Sequence, residues 1–104
     1  MLAIIARLEI NPDHVEDYVK AAVPGVALTR EEKGCHLYSF SRDICEDNII
    51  WICEQWESDE DLDAHLQSDH IREFLEATKN MEVLSMDARK YEVSSVGTVV
   101  PPEH

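Results

Sequence analysis

Ile49 to His70 reads IIWICEQWESDEDLDAHLQSDH, and the order of this chain follows from how those residues divide. Ile49 to Glu57 has the length and the β-branched and aromatic content of a strand. Its first five residues are apolar at every position. A strand sustains that only when both of its faces are covered. At Ser58 the character changes: Ser58 with Asp61 three residues on is close to a capping box, and an acidic first turn complements the helix dipole. Leu62, His65 and Leu66 then form the inward stripe of a short helix. Ser68-Asp69 caps again, starting a further helix through Ile71, Phe74, Leu75 and Thr78. One strand therefore runs directly into a helical region broken in two.

Working outward, Leu2 to Ile10 alternates as a strand, with Leu2, Ile4, Ala6, Leu8 and Ile10 on one face. Asn11-Pro12-Asp13 is expected to end it and open a helix, Asn11 serving as cap. That helix carries Val15, Tyr18, Val19 and Ala22 on one side. Pro24-Gly25 is expected to kink or break it, because proline removes a helix hydrogen bond and crowds the preceding turn. Gly34 supplies the stop. Cys35 to Arg42 is a second strand, read with His36, Tyr38 and Phe40 sharing a face. Asp43 to Asn48 is a hairpin loop, and Met81 to Val93 a last strand. The order β-α-β-β-α-β predicts an α+β, ferredoxin-like antiparallel sheet with its helices on one face. The domain spans residues 1–94, and residues 95–104 form an extended or disordered tail. The bare sheet face, with Ala3, Ile5 and the double-sided run Ile49 to Cys53, calls for a second copy, so a homodimer is expected.

The bulk properties exclude several classes. One core is what 104 residues support, and the hydrophobic share of 44% is that of a folded protein. With 22 acidic against 9 basic residues and a formal charge of −13, nucleic acid and anionic membranes are not expected partners. No apolar run reaches the ~18 residues of a membrane helix, and Leu2 to Ala6 is too short for a signal sequence. The three cysteines, Cys35, Cys45 and Cys53, form no C-x-x-C, which suits a reducing cytoplasm. Cys53 is read as a core residue rather than a nucleophile.

Gly34-Cys35-x-x-Tyr38, Glu54-x-Trp56-x-Ser58, Leu62-x-x-His65 and Ser68-x-His70-x-x-x-Phe74, in that order, resemble the antibiotic biosynthesis monooxygenase (ABM) family. The likeness spans about Leu2 to Val93. It implies a dimeric α+β barrel with a small-molecule pocket in each subunit between sheet and helices. Some members oxygenate phenolic or quinol compounds without metal or flavin, others isomerise or process small sugar-phosphate signals, and relatives degrade haem. The haem-degrading pattern needs an Asn on the first strand, which Leu2 to Ile10 lacks.

His65 is the first choice for a catalytic base, since an imidazole takes protons near neutral pH. Asp61 or Asp69, four residues to either side, would orient its ring. Substrate contacts are expected from Trp56, Tyr38, Glu54, His70 and Arg7. Each has a structural alternative: Glu54 pairing with Arg7 or Arg89 across the sheet, His70 capping or packing, Trp56 and Tyr38 in the core. No metal site is expected, because an i, i+5 histidine pair does not share one helix face, and no glycine-rich loop offers a nucleotide site. The leading expectation is a cofactor-independent monooxygenase for a phenolic, quinol or polyketide-like molecule. The alternatives are an isomerase or processing enzyme for a small carbonyl or sugar-phosphate compound, and a non-catalytic ligand-binding dimer.

Overall fold

The computed structural model describes residues 1–102. Four strands, β1 (Leu2–Ile10), β2 (Cys35–Arg42), β3 (Ile49–Trp56) and β4 (Val83–Glu92), form one antiparallel sheet in the order β2-β3-β1-β4. Three helices, α1 (Val15–Thr29), α2 (Asp59–Leu66) and α3 (Asp69–Thr78), connect them in the order read from the sequence. Residues 94–102 form no helix or strand.

Register explains which side chains meet. Ile4 lies opposite Glu54, Ala6 opposite Ile52 and Leu8 opposite Ile50, while Tyr38 and Phe40 of β2 pair with Glu54 and Ile52. These residues make up the helix-covered face. Ala6, Leu8, Ile10 and Ile50 pack there against Val15 and Tyr18 of α1, with Phe74 of α3 edge-on to Tyr18 at 5.3 Å. A second cluster joins Leu2, Tyr38 and Trp56 to Leu62 of α2. A register shift between Cys35 and Leu37 puts Cys35, not His36, on this face; His36 instead pairs with Glu57 at 2.6 Å.

The opposite face carries Ala3, Ile5, Leu37, Cys53 and Tyr91, and no helix among the described residues covers it. Ile5, Leu37 and Tyr91 are exposed there, and Cys53 is half-buried on this side rather than in the core. Every residue of β4 is exposed, including Leu84 and Met86.

Two helix expectations are corrected. α1 runs unbroken through Pro24, whose ring sits on the exposed side, so the carbonyl it frees at Lys20 is not trapped among apolar groups. Asn11 does not cap α1. Its Oδ1 accepts from the Asp13 N–H at 2.9 Å in a local turn, its amide donates to Glu82, and the helix starts four residues later at Val15. The other two caps form: Ser58 Oγ accepts from the Asp61 N–H, and Ser68 Oγ from the Ile71 N–H.

Candidate active site

The break at Gln67-Ser68 turns α3 away from α2, and the two helices aim different histidines at one point. His65, near the end of α2, is 1% exposed and packs against the rings of Trp56 and Tyr38, with centroids 4.8 and 5.1 Å away. Its Nδ1 stands 3.2 Å from Oε1 of Glu32, in the turn that follows α1. An ionised carboxylate oxygen only accepts, so in this contact Nδ1 is the donor. His70, in the first turn of α3, brings its Nε2 against the same Glu32 oxygen. That contact is off the line a hydrogen bond requires, and the buried Nε2 has no hydrogen-bond partner among the described residues.

Gly34 holds Glu32 in place. Its φ of +80° lies in the left-handed region, and a Cβ there would fall 2.1 Å from Oδ2 of Asp61. Only glycine lets the α1–β2 turn lie this close to the start of α2. Asp61 accepts a hydrogen bond from Ser58 Oγ and Asp69 pairs with Arg72, so neither orients His65. Glu32 does that, and it was missed. Nothing in TREEKG separates Glu32 from Glu31 until the turn is folded.

Glu54 stands on the same sheet face. Burial pushes its carboxyl above the usual range, while the 2.9 Å hydrogen bond from Trp56 Nε1 and the nearby His65 pull the other way. Burial first, then the negative charges of Glu54 and Glu32, raise the Tyr38 phenol well above its ordinary value. No cation answers Glu54 from Arg7 or Arg89. Both lie on the uncovered face, opposite Trp51 and Ile5 respectively, and Arg7 approaches Glu46 at 3.8 Å.

A half-open cavity of about 440 Å³ lies between α1 and the β2 side of the sheet, walled by Tyr18, Val19, Val26 and Phe40, with Arg30 and Arg42 among its polar groups. Its lining is mainly apolar, as small-molecule sites are. None of His65, Trp56, Tyr38, Glu54, His70 or Arg7 lines it. Tyr38 comes nearest: a narrow gap shares Ala22, Val26 and Phe40 with the cavity and reaches Tyr38, whose ring is 5.7 Å from Phe40. His70 lines a separate groove between α1 and α3, with Pro24, Leu28 and Phe74. The structure thus brings together Tyr38, Glu54, Trp56, His65 and His70, adds Glu32, and sets Arg7 apart on the other side of the sheet.

Residues 1–77 match the profile of the family described as "Antibiotic biosynthesis monooxygenase". The chain is 36% identical over 103 residues to "Probable quinol monooxygenase YgiN" of Escherichia coli, covering 86% of this chain and 94% of that protein. It is 22% identical over 94 residues to "Putative monooxygenase YcnE" of Bacillus subtilis, covering 90% of this chain and 99% of that one. Among solved structures, a "putative antibiotic biosynthesis monooxygenase" from Deinococcus radiodurans superposes with a TM-score of 0.87 at 23% identity, over 97% of this chain and all of that one. PA3566 from Pseudomonas aeruginosa gives 0.82 at 23% identity, over 90% and 94%. Both likenesses are of fold.

Proposed function

The chain belongs to the antibiotic biosynthesis monooxygenase family, and on that premise we propose that it is a cofactor-independent monooxygenase for a phenolic, quinol or polyketide-like small molecule. The observation that carries this reading is an oriented imidazole, His65 on Glu32, packed against Tyr38, whose ring borders a narrow gap that shares Ala22, Val26 and Phe40 with an apolar cavity.

The substrate would present an acidic CH₂ as the keto tautomer of its phenol, and His65 Nε2 would be the base. Since His65 is closed off from the cavity, Tyr38 would relay the proton, giving its own to Nε2 as it takes one from the substrate. Burial keeps this phenol protonated, so it would give up its proton only in the same step in which it gains the substrate's. The substrate anion then passes one electron to O₂. The resulting radical and superoxide combine at carbon to a hydroperoxide, and loss of water leaves a carbonyl. The CH₂ becomes C=O, one oxygen atom is retained and the other leaves as water, so all four electrons come from the substrate. The protein's share is orientation, exclusion of water and the base.

Trp56 and Glu54 would fix the ring behind Tyr38, and His70 would hold Glu32. Arg7 has no part in this pocket. The working unit is residues 1–94, paired as a homodimer through the uncovered sheet face and β4, in the reducing cytoplasm that three free cysteines suit. Oxygen consumption with quinol and anthrone-like substrates, no metal or flavin being added, tests the reaction. His65→Ala should abolish uptake while the circular dichroism spectrum is retained; uptake equal to that of the parent removes His65 from the mechanism.

A further inference from the structure

We propose that Glu32, His65 and His70 form a binding site for one divalent transition-metal ion, with Zn²⁺ the best match. The donors come from three separate segments, the α1–β2 turn, the end of α2 and the first turn of α3, yet their ligand atoms all lie within 4.8 Å of one another. In a tetrahedral zinc site with bonds of about 2.0–2.1 Å, neighbouring donors stand about 3.3 Å apart. His65 Nδ1 and Glu32 Oε1 are already at 3.2 Å.

His70 supplies the second, independent observation. If the three side chains were only a hydrogen-bonded group, Oε1 would satisfy both rings. It satisfies His65, whereas His70 Nε2 is buried, pressed against that oxygen and without a hydrogen bond. A cation between them would give this nitrogen the partner it lacks.

Two imidazoles and one carboxylate select the ion. Ca²⁺ and Mg²⁺ are held by oxygen-rich sets, while this mixed nitrogen and oxygen set suits Zn²⁺ or its first-row neighbours and leaves a fourth position open. The rings of Trp56 and Tyr38 pack against His65 and hold its imidazole in place. A formal charge of −13 raises the cation concentration around the whole chain. A metal on Nδ1 would leave the proton on Nε2, so His65 could no longer act as a base. That consequence, an idle state when metal is bound, rests on the function proposed above; the binding itself does not.

Binding is read without substrate. The full chain, treated with EDTA and dialysed, is titrated with ZnCl₂ by calorimetry, and with Co²⁺ while the histidine side-chain NMR signals are followed. One equivalent should bind per chain, Co²⁺ should broaden His65 and His70 and spare His14 and His36, and His36→Ala should bind as the parent does. His70→Gln and Glu32→Gln should each weaken Zn²⁺ at least about a hundredfold, since even groups behind the ligands cost ten- to a hundredfold. No saturable uptake, broadening confined to other histidines, or unchanged affinity in a folded His70→Gln overturns the proposal. The NMR arm uses the parent chain, so a variant that fails to fold does not blunt it. A chain that binds Zn²⁺ yet consumes no oxygen in its metal-free form would sink the oxygenase reading and leave the site standing.

Discussion

Trp56→Phe separates the packing role of the tryptophan from its support of a buried carboxylate. Trp56 is fully buried, and its Nε1 makes the one hydrogen bond to the Glu54 carboxylate among the described residues, at 2.9 Å. Replacing indole by phenyl removes about 40 Å² of buried apolar surface, roughly 1 kcal/mol at 25 cal/mol per Å². Losing a hydrogen bond to a charged acceptor costs about 1.5–3 kcal/mol. The variant should therefore lose about 3 kcal/mol in urea denaturation at pH 7. The pH dependence tests the cause. Burial raises the Glu54 carboxyl in the folded state, so its contribution is complete below the unfolded value and is lost as pH rises through the folded one. Without the indole donor the folded value rises further, and the deficit of Trp56→Phe should be larger at pH 7 than at pH 4. In a Glu54→Gln background no charge remains to strand, and the deficit should shrink at neutral pH and become independent of pH. The same loss at both pH values, and in both backgrounds, would mean that the hydrogen bond to Glu54 contributes nothing and that Trp56 acts only by packing.

Gly34→Ala should cost at least about 1–3 kcal/mol for the left-handed backbone alone, because the new methyl also meets the Asp61 carboxylate that Ser58 holds. Gly97→Ala, with nothing within 4 Å, is the control, and equal melting temperatures for the two variants would contradict the assignment. For the proposed dimer, Ile5→Glu and Met86→Glu should each shift sedimentation equilibrium toward monomer, since a two-fold contact brings the new charges together in apolar surroundings. Leu75→Glu, on exposed α3, should not. A monomeric parent, or a dimer broken only by the Leu75 variant, would refute that interface.

What could be read from the chain was whatever local pattern controls. β1 and β2 have the predicted ends because alternation stops where Asn11-Pro12 and Asp43 begin turns. Ser58 and Ser68 cap as expected because a cap is a local contact. The break expected at Pro24 does not occur: its ring lies on the exposed side of α1, where water can reach the carbonyl it frees. The placement of Arg7 is legible in the alternation: it lies on the polar row of β1, while Glu54 shares its row with Ile50, Ile52 and Trp56. Once both apolar rows face the helices, the two charges must stand on opposite sides of the sheet.

Glu32 and the pairing of His65 with His70 were illegible for a different reason. On a continuous helix five residues advance about 140°, which places two histidines on different faces and argues against a shared ligand. The break at Ser68 was visible, but its direction was not, since it depends on how α3 packs against α1 through Tyr18 and Phe74. With that direction set, the spacing that separates the histidines on one helix brings them to one carboxylate from two. The turn carrying that carboxylate reaches them only because Gly34 has no side chain to meet Asp61. The centre of the site is therefore a tertiary product of one missing methyl and one helix break, and perturbing either should disturb His65 before it disturbs the sheet.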